Sequence, residues 1–481
     1  MSRRPLVLAL TFALLPATGA HAEDLLQTYQ LARNSDPQLA AAESSRLITR
    51  EGAVQARAAL LPQIDGGASY NHSRTTGPDT QTQFDQVTGE ALVISGNSET
   101  TRSSRNYGIN LNQVLFDFGR FTQVRSQNAL ARAGDFQLES AGDSLITRTS
   151  QAYFNVLIAI ESLAAAETQE TALKKQFDFA SKRLEVGLAP ITDVHEARAQ
   201  FDSARANTIV VRNVLEDAYQ AVAEITGQPV RNLKSLPKDF QPSLPAERDA
   251  DGWVATAIEN NPALKAKELQ VQSAEADVGT ARAGHMPTLY FNGSYGKDAV
   301  WGENDFTSTS TNPPVFNNFP IGSQSKGPSF GVTLNVPIFS GGATQSRVRQ
   351  ALALRDVAVD ELEQQKRALD RNTRNAYQTL VAGISEVEAR RLAVVSAQSA
   401  YDASQVGLEV GTRTVLDVLT NQQNLFRAQL AYAQSRYNFL ENRLLLEQAA
   451  GTLDIADVQD VNRLLTADAE AQLAPSDIPP K

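Results

Sequence analysis

The chain has 481 residues, a formal net charge of −10 and no cysteine. An acidic chain without basic clusters argues against a nucleic-acid partner. The missing cysteines exclude disulfides, thiolate metal sites, cysteine nucleophiles and a lipid-modified N-terminal cysteine.

Residues 1–22 read as an export signal, with Arg3 and Arg4 before the apolar core Leu6 to Leu15 and a small-x-small site at Ala20-His21-Ala22. That core is well below the ~20 residues a bilayer-spanning anchor needs. A twin-arginine reading of Ser2-Arg3-Arg4 lacks the following Lys. Cleavage after Ala22 takes the net charge from −10 to −12. No later stretch is apolar enough for a spanning helix, so a membrane crossing is expected to be made by β-strands.

Residues 23–227 form a first repeat. A helix precedes Pro37 and a second runs to about Leu60. Alternating segments at about 63–73 and 105–116 flank a polar loop, 74–102. A long helical hairpin over 120–226 follows, turning at EVGLAPITDV (185–194) and ending at Gly227. Residues 228–250 are Pro-rich and read as a linker. Residues 251–452 then repeat the pattern. ARAALLPQIDGGASY (56–70) is answered by ARAGHMPTLYFNGSY (281–295) at an offset of 225, and Pro37 by Pro262 at the same offset. YGINLNQVLFDFG (107–119) is answered by FGVTLNVPIFSGG (330–342) at 223, and the turn by EVGTRTVLDV (409–418) at 224. Matches in register at this spacing mark a tandem duplication. The second copy places strands at about 287–297 and 328–339, a polar loop at 299–326 and a helical hairpin over 343–450. Residues 453–481 read as an irregular tail.

In the strand segments Tyr107, Ile109 and Leu111 alternate with Gly108, Asn110 and Asn112. Phe330, Val332, Leu334 and Val336 alternate with Gly331, Thr333 and Asn335. About ten residues of such alternation suit a transmembrane barrel strand, and equally a half-buried strand of a soluble sheet. The long Ser/Thr/Asn/Gly-rich loops favour the barrel, because compact soluble domains rarely keep structureless connections of that length. Four strands cannot close a barrel, and an open edge in lipid is not tolerated. The chain must share its barrel with copies of itself, two giving eight strands and three giving twelve.

Residues 120–186 and 343–410 contain no proline, and at 1.5 Å per residue each would extend roughly 100 Å. In the last helix Val418, Leu425, Tyr432, Phe439 and Leu446 recur every seven residues beside Leu419, Phe426, Ala433 and Leu440. The first copy has Val194, Phe201, Leu215 and Val222 in the same phase, with Thr208 interrupting. A sustained seven-residue period marks coiled-coil packing. The shorter helices at 37–60 and 191–226 together roughly match the long one, so each repeat supplies two helical columns. Three chains would then set twelve columns under twelve strands. The resulting expectation is an α+β membrane protein: a tandem-duplicated protomer of a trimeric, 12-stranded outer-membrane β-barrel continued by a long α-helical periplasmic barrel. A soluble helical bundle with hairpin insertions explains the helices but not the matched numbers.

At the turns, RLEVGLAPITDVHEARAQFD (183–202) and EVGTRTVLDVLTNQQNLFRAQL (409–430), the sequence resembles the TolC family of outer-membrane efflux and secretion channels. The resemblance covers essentially the mature chain. It implies a homotrimer in the outer membrane with its helical part in the periplasm, and a passive conduit without catalysis. It implies a periplasmic tip that opens when a periplasmic adaptor and an inner-membrane transporter dock. Thr192, Asp193 and Arg413 match positions that link helices at the closed tip, and Asp417 matches an acidic ring at the constriction. Val186, Gly187, Leu188, Val410, Gly411 and Thr412 match the turns that meet the adaptor. Two positions depart from the pattern: Thr420 stands for a second acidic ring and Leu408 for a tyrosine link partner.

The duplication bears on the gate independently. Asp193 and Asp417 are equivalent, whereas Arg413 is matched by Ala189. A ring alternating the two hairpins would place three Arg among six Asp, held by Asp193–Arg413 pairs and loosened by rotation of one hairpin. Helix capping is the compatible alternative: Thr414 with Asp417 fits a capping box, and Asp193 lies in a first helical turn. Tyr70, Tyr107, Tyr290, Tyr295 and Phe330 suit interfacial girdles or ordinary sheet packing. The histidines lack ligand spacing and no catalytic motif appears, so neither metal, cofactor nor enzyme activity is expected. Competing readings are a trimeric coiled-coil surface protein, which the recurrence of strands in both repeats fits poorly, and a periplasmic adaptor. The cargo, whether drugs, metal ions or a polypeptide, is not written in the sequence.

Overall fold

The computed structural model describes residues 24–84, 89–188, 190–237, 239–244, 248–311 and 313–473. The expected export signal at 1–22, Ala189 and the last residues of the tail lie outside them. The chain divides into two compact units. Unit 1 comprises Met1–Leu47, Ala133–Glu268 and Asp360–Lys481, and unit 2 comprises Ile48–Arg132 and Leu269–Val359.

Six elements occur twice in the same order. The first set is α1 (Leu25–Ser35), α2 (Pro37–Ala58), β1 (Gln63–Phe84), β2 (Ala91–Phe116), α3 (Phe118–Glu185) and α4 (Ile191–Thr226). After β3 (Lys234–Ser235), the second set is α5 (Ala250–Asn260), α6 (Pro262–Ala283), β4 (Thr288–Ser308), β5 (Val315–Asn335), α7 (Ala343–Glu409) and α8 (Val415–Ala450). The chain then forms α9 (Ile455–Leu464) and β6 (Ala467–Asp468).

The helix boundaries follow from local chemistry. Asp36 and Asn261 each stand before a proline that opens the next helix, where the missing N–H costs nothing. Their side chains accept from the N–H of Leu39 at 2.9 Å and of Leu264 at 3.1 Å. Helix α3 runs 68 residues and α7 67, in proline-free sequence. Gly227 and Gly451 end α4 and α8 in the left-handed conformation, with φ of 72° and 68°, where glycine bears no Cβ penalty.

The core of unit 1 gathers Tyr153, Phe154, Leu157, Ile160 and Leu163 of α3 against Leu215, Tyr219 and Val222 of α4 and Tyr437, Leu440 and Leu444 of α8. The heptad positions Val418, Leu425, Phe439 and Leu446 are buried, as are Leu419, Ala433 and Leu440 beside them. Tyr432 and Phe426 are half-buried. Thr208, the interruption in α4, is buried with its hydroxyl donating to the Ala204 carbonyl at 3.1 Å.

Where described, the linker and tail differ from expectation in pairing with one another. β3 pairs antiparallel with β6, and Leu233 and Leu236 of the linker join Val458, Val461 and Leu465 of the tail in the unit 1 core. Asp454 and Asp457 form a capping box that starts α9. The Pro-rich, acidic composition conceals an apolar set at helical spacing, Val458, Val461 and Leu465, whose partner lies more than two hundred residues away.

Unit 2 holds an antiparallel sheet in the order β1-β2-β4-β5, so β1 and β5 are its edges. Helix α3 passes between α2 and α6 there. Arg57 reaches Asn128 at 2.7 Å, and the pairs Thr122–Thr280 and Ser126–Ser273 are hydroxyl contacts at 2.8 and 2.9 Å. The strands are longer than the alternation suggests. They continue through much of 74–102 and 299–326, the segments expected to be loops, and reach 21 to 26 residues. A strand ladder is made by the backbone and needs no apolar alternation beyond the bilayer. Polar cross-strand pairs support it, including Ser98 with Asn304 at 2.6 Å and Arg74 with Glu99. At the other end β5 stops at Asn335 rather than 339, because Pro337 cannot donate to a ladder.

Candidate gate at the hairpin tips

Both tips close with the same backbone device. At the end of α3 the Gly187 N–H donates to the Leu184 carbonyl at 2.9 Å and the Leu188 N–H to Arg183 at 2.8 Å. At the end of α7 the Gly411 N–H donates to Leu408 at 3.2 Å and the Thr412 N–H to Gly407 at 2.8 Å. These are Schellman turns, and they require the left-handed φ of 74° at Gly187 and 80° at Gly411. The turns leave Val186, Leu188 and Val410 exposed, and Thr412 is exposed as well.

The next helices start differently. α8 opens with a capping box: the Thr414 N–H donates to the Asp417 carboxylate at 2.9 Å, and the Asp417 N–H donates to Thr414 Oγ1 at 3.2 Å. The Thr414 hydroxyl donates to the same carboxylate at 2.9 Å. Hydrogen bonds from the Thr414 backbone and side chain hold the Asp417 carboxyl below its ordinary pKa, and the Arg413 charge adds to them. α4 opens at Pro190 without a side-chain cap. Asp193 sits in its first turn, half-buried, and its carboxylate takes no hydrogen bond among the described residues. Thr192 and Arg413 are exposed. Within one chain no ion pair among the described residues joins Asp193 to Arg413.

The two hairpins pack side by side. Leu173 of α3, Ala204 of α4, and Val415 and Leu419 of α8 form a small apolar cluster with Phe201 and Leu408 against it. Leu408, at the position where a tyrosine was expected, thus serves packing. Thr420 is exposed. Gln423 donates to Gln200 at 2.9 Å across α8 and α4. A groove of about 830 Å³ runs above the cluster, lined by Lys175 and Phe179 of α3, Tyr401 and Gln405 of α7, and Gln422 of α8. The sequence reading did not single out this groove. Its signal in the sequence was faint: aromatics at Phe177, Phe179 and Tyr401 amid polar residues.

On the sheet, the register puts Tyr107, Ile109 and Leu111 on one face with Tyr295 and Phe330. Tyr70 shares that face and lies 6.1 Å from the Trp301 ring. The face is apolar and exposed, and Phe330 is 74% accessible. Tyr290 does not belong to it. It falls on the opposite, polar face and donates to Asp117 at 3.0 Å, which removes it from the girdle set. Among the described residues no group of three or more His, Cys, Asp or Glu is placed to hold a metal ion, and no helix is long and apolar enough to cross a membrane.

A family model described as outer membrane efflux protein matches residues 28–228 and again 253–452. The outer membrane protein TolC of Vibrio cholerae is 33% identical over 93% of this chain and 94% of its own. The alkaline protease secretion protein AprF of Pseudomonas aeruginosa is 29% identical over 93% of this chain and 88% of its own. In fold, the chain superposes on the CmeC outer membrane channel of Campylobacter jejuni with a TM-score of 0.70 at 19% identity, covering 94% of this chain and 90% of that one.

Proposed function

The chain belongs to the outer membrane efflux protein family, and on that premise we propose that its gate lies at the hairpin tips, with Thr192, Asp193, Arg413 and Asp417 as the gating residues. The protein is an outer-membrane channel of the efflux and type I secretion class, three chains sharing a 12-stranded barrel continued by a helical periplasmic tunnel. It acts as a passive duct and carries out no catalysis of its own. Val186, Gly187 and Leu188 with Val410, Gly411 and Thr412 form the surface that a periplasmic adaptor meets, and an inner-membrane transporter supplies the energy.

One observation carries the gate reading. The Asp193 carboxylate has no hydrogen-bond partner among the described residues, while that of its copy Asp417 is consumed by a capping box. A carboxylate left unused on one hairpin, with an exposed Arg413 on the other, is suited to pairing between hairpins of neighbouring chains. Such pairs hold two rigid hairpins in one of two arrangements, and rotation of one hairpin breaks them.

Single-channel conductance of the purified oligomer in a planar bilayer tests this. Wild type should show a small, cation-leaning conductance, because the ring carries more Asp than Arg. Asp193→Ala should raise it. A folded Asp193→Ala channel with wild-type conductance removes Asp193 from the gate, and a folded oligomer with no conductance at all removes the channel.

The periplasmic-adaptor reading does not account for the sheet. Its two bare edges and exposed apolar face suit closure with other copies in lipid.

A further inference from the structure

The two tips carry a reciprocal exchange that neither hairpin shows alone. Hairpin one has Arg183 in the last turn of α3, where its guanidinium lies 5.6 Å from the Phe179 ring and donates to the Leu188 carbonyl at 3.3 Å. Its turn carries Ala189. In hairpin two, at the offset of 224, the helix position is Gly407 and the turn position is Arg413. Each tip therefore holds one guanidinium, rooted in the helix in one copy and in the turn in the other.

Gly407 is what the second arrangement requires. A Cβ placed on it would lie 2.6 Å from Arg413 Cγ, closer than side chains approach, and a tight 3.2 Å from Arg413 Cβ. The Arg413 stem occupies the volume a side chain at 407 would fill, and Gly407 is buried beneath it. The Gly407 carbonyl also accepts from the N–H of Thr412 at 2.8 Å and of Arg413 at 3.1 Å, fixing the backbone from which that stem departs. Gly407 lies in the last turn of α7, and the space its missing side chain leaves there is taken by the stem of Arg413.

We infer that Gly407 is a positioning residue for the gate: by leaving a slot on α7 it fixes the direction in which Arg413 presents its guanidinium. This deepens the gate reading above and rests on it. The slot sets the rotamer of a long, flexible side chain that would otherwise lose rotational freedom on pairing. Any side chain at 407 turns Arg413 out of it without removing its charge.

The test compares Gly407→Ala, Arg413→Ala and the double variant by single-channel conductance of the full-length oligomer, with thermal stability of the oligomer as a folding check. Alanine is the stronger helix former, so Gly407→Ala should remain folded. Gly383→Ala is the control, since the added methyl in the same helix meets only Phe439, at 3.3 Å, and conductance should not change. The proposal expects Gly407→Ala to raise conductance by the same fold as Arg413→Ala, with no further rise in the double variant, as coupled residues behave. Wild-type conductance in Gly407→Ala beside raised conductance in Arg413→Ala overturns the proposal and leaves the gate standing. So do fold-rises that multiply in the double variant. Wild-type conductance in Arg413→Ala overturns the gate reading and this inference together.

Discussion

Arg436 of α8 donates from one nitrogen, Nη2, to both carboxylate oxygens of Glu161 on α3, at 2.8 and 2.6 Å. Both side chains are largely buried, at 5% and 14% exposure. The Tyr437 hydroxyl donates to the same carboxylate at 2.8 Å, and Arg436 Nη1 donates to the Pro237 carbonyl at 3.2 Å. Burial raises the Tyr437 pKa, with the Glu161 charge adding to it, so the phenol stays a donor. The pair thus ties the long helix, the last helix and the linker at one point. Removing one partner leaves an uncompensated buried charge, so Glu161→Gln should cost about 3–5 kcal/mol. Replacing both, as Glu161→Leu with Arg436→Met, should recover most of that loss in denaturant titrations of the oligomer. A double variant no more stable than either single one contradicts this account.

A second prediction concerns pH. Glu447 of α8 is 5% exposed. Burial, with Asp457 and Asp460 of α9 adding, pushes its pKa from 4.5 to about 7, against the opposing charge of Arg443. Between those values the folded chain keeps a proton that the unfolded chain releases. The stabilisation is therefore complete below pH 4.5 and is lost as pH rises through about 7. The change is on the order of 3 kcal/mol. Glu447→Gln should flatten that slope in melting curves taken from pH 4.5 to 8, whereas an unchanged slope would place the titration elsewhere.

The two helix-ending glycines should differ on substitution. Gly227→Ala and Gly451→Ala both force a side chain into the left-handed region, at about 1–2 kcal/mol. The added methyl at Gly227 meets the Ser35 side chain at 3.1 Å, but at Gly451 it meets the backbone of Asn260 and Asn261 at 2.6 Å. Gly451→Ala should be clearly the more destabilising of the two by thermal melting. Equal losses would mean the Asn260–Asn261 backbone gives way.

On the sheet, Ile109 and Asn110 are neighbours facing opposite ways. Lysine at 109 faces the hydrocarbon and should cost about 2–4 kcal/mol, whereas lysine at 110 faces the lumen and should be tolerated. Yield of folded oligomer from outer membranes reads the difference. The reverse ranking would invert the assignment of faces.

The sequence made some of this visible and hid the rest for identifiable reasons. Proline-free stretches with a glycine after each marked the limits of α3 and α7. The seven-residue rows through Val418 and Leu419 marked the buried side of α8. The outer halves of the strands were hidden, because Ser, Thr and Asn carry a backbone ladder as well as apolar residues do once lipid no longer selects them. The pairing of the linker with the tail was hidden because neither segment buries its few apolar residues without the other. At the tips, the residue types of the proposed gate stood out through the duplication. Thr414 three residues before Asp417 already marked the capping box there, whereas only the structure shows that the Asp193 carboxylate takes no hydrogen bond among the described residues. Arg413 stood out, but the slot beneath it did not, since a glycine in the last turns of a helix is ambiguous until a neighbour is seen to fill its space.

The bare backbone edges of β1 and β5 reach beyond the single molecule. No chain can finish its own wall, so every pore is a joint product of three polypeptides. In a cell making intact and defective versions, the share of wholly intact pores falls as the cube of the intact fraction. A lesion that spares folding and assembly but spoils the tip should therefore be genetically dominant. A recessive allele would have to encode a product that never reaches its partners.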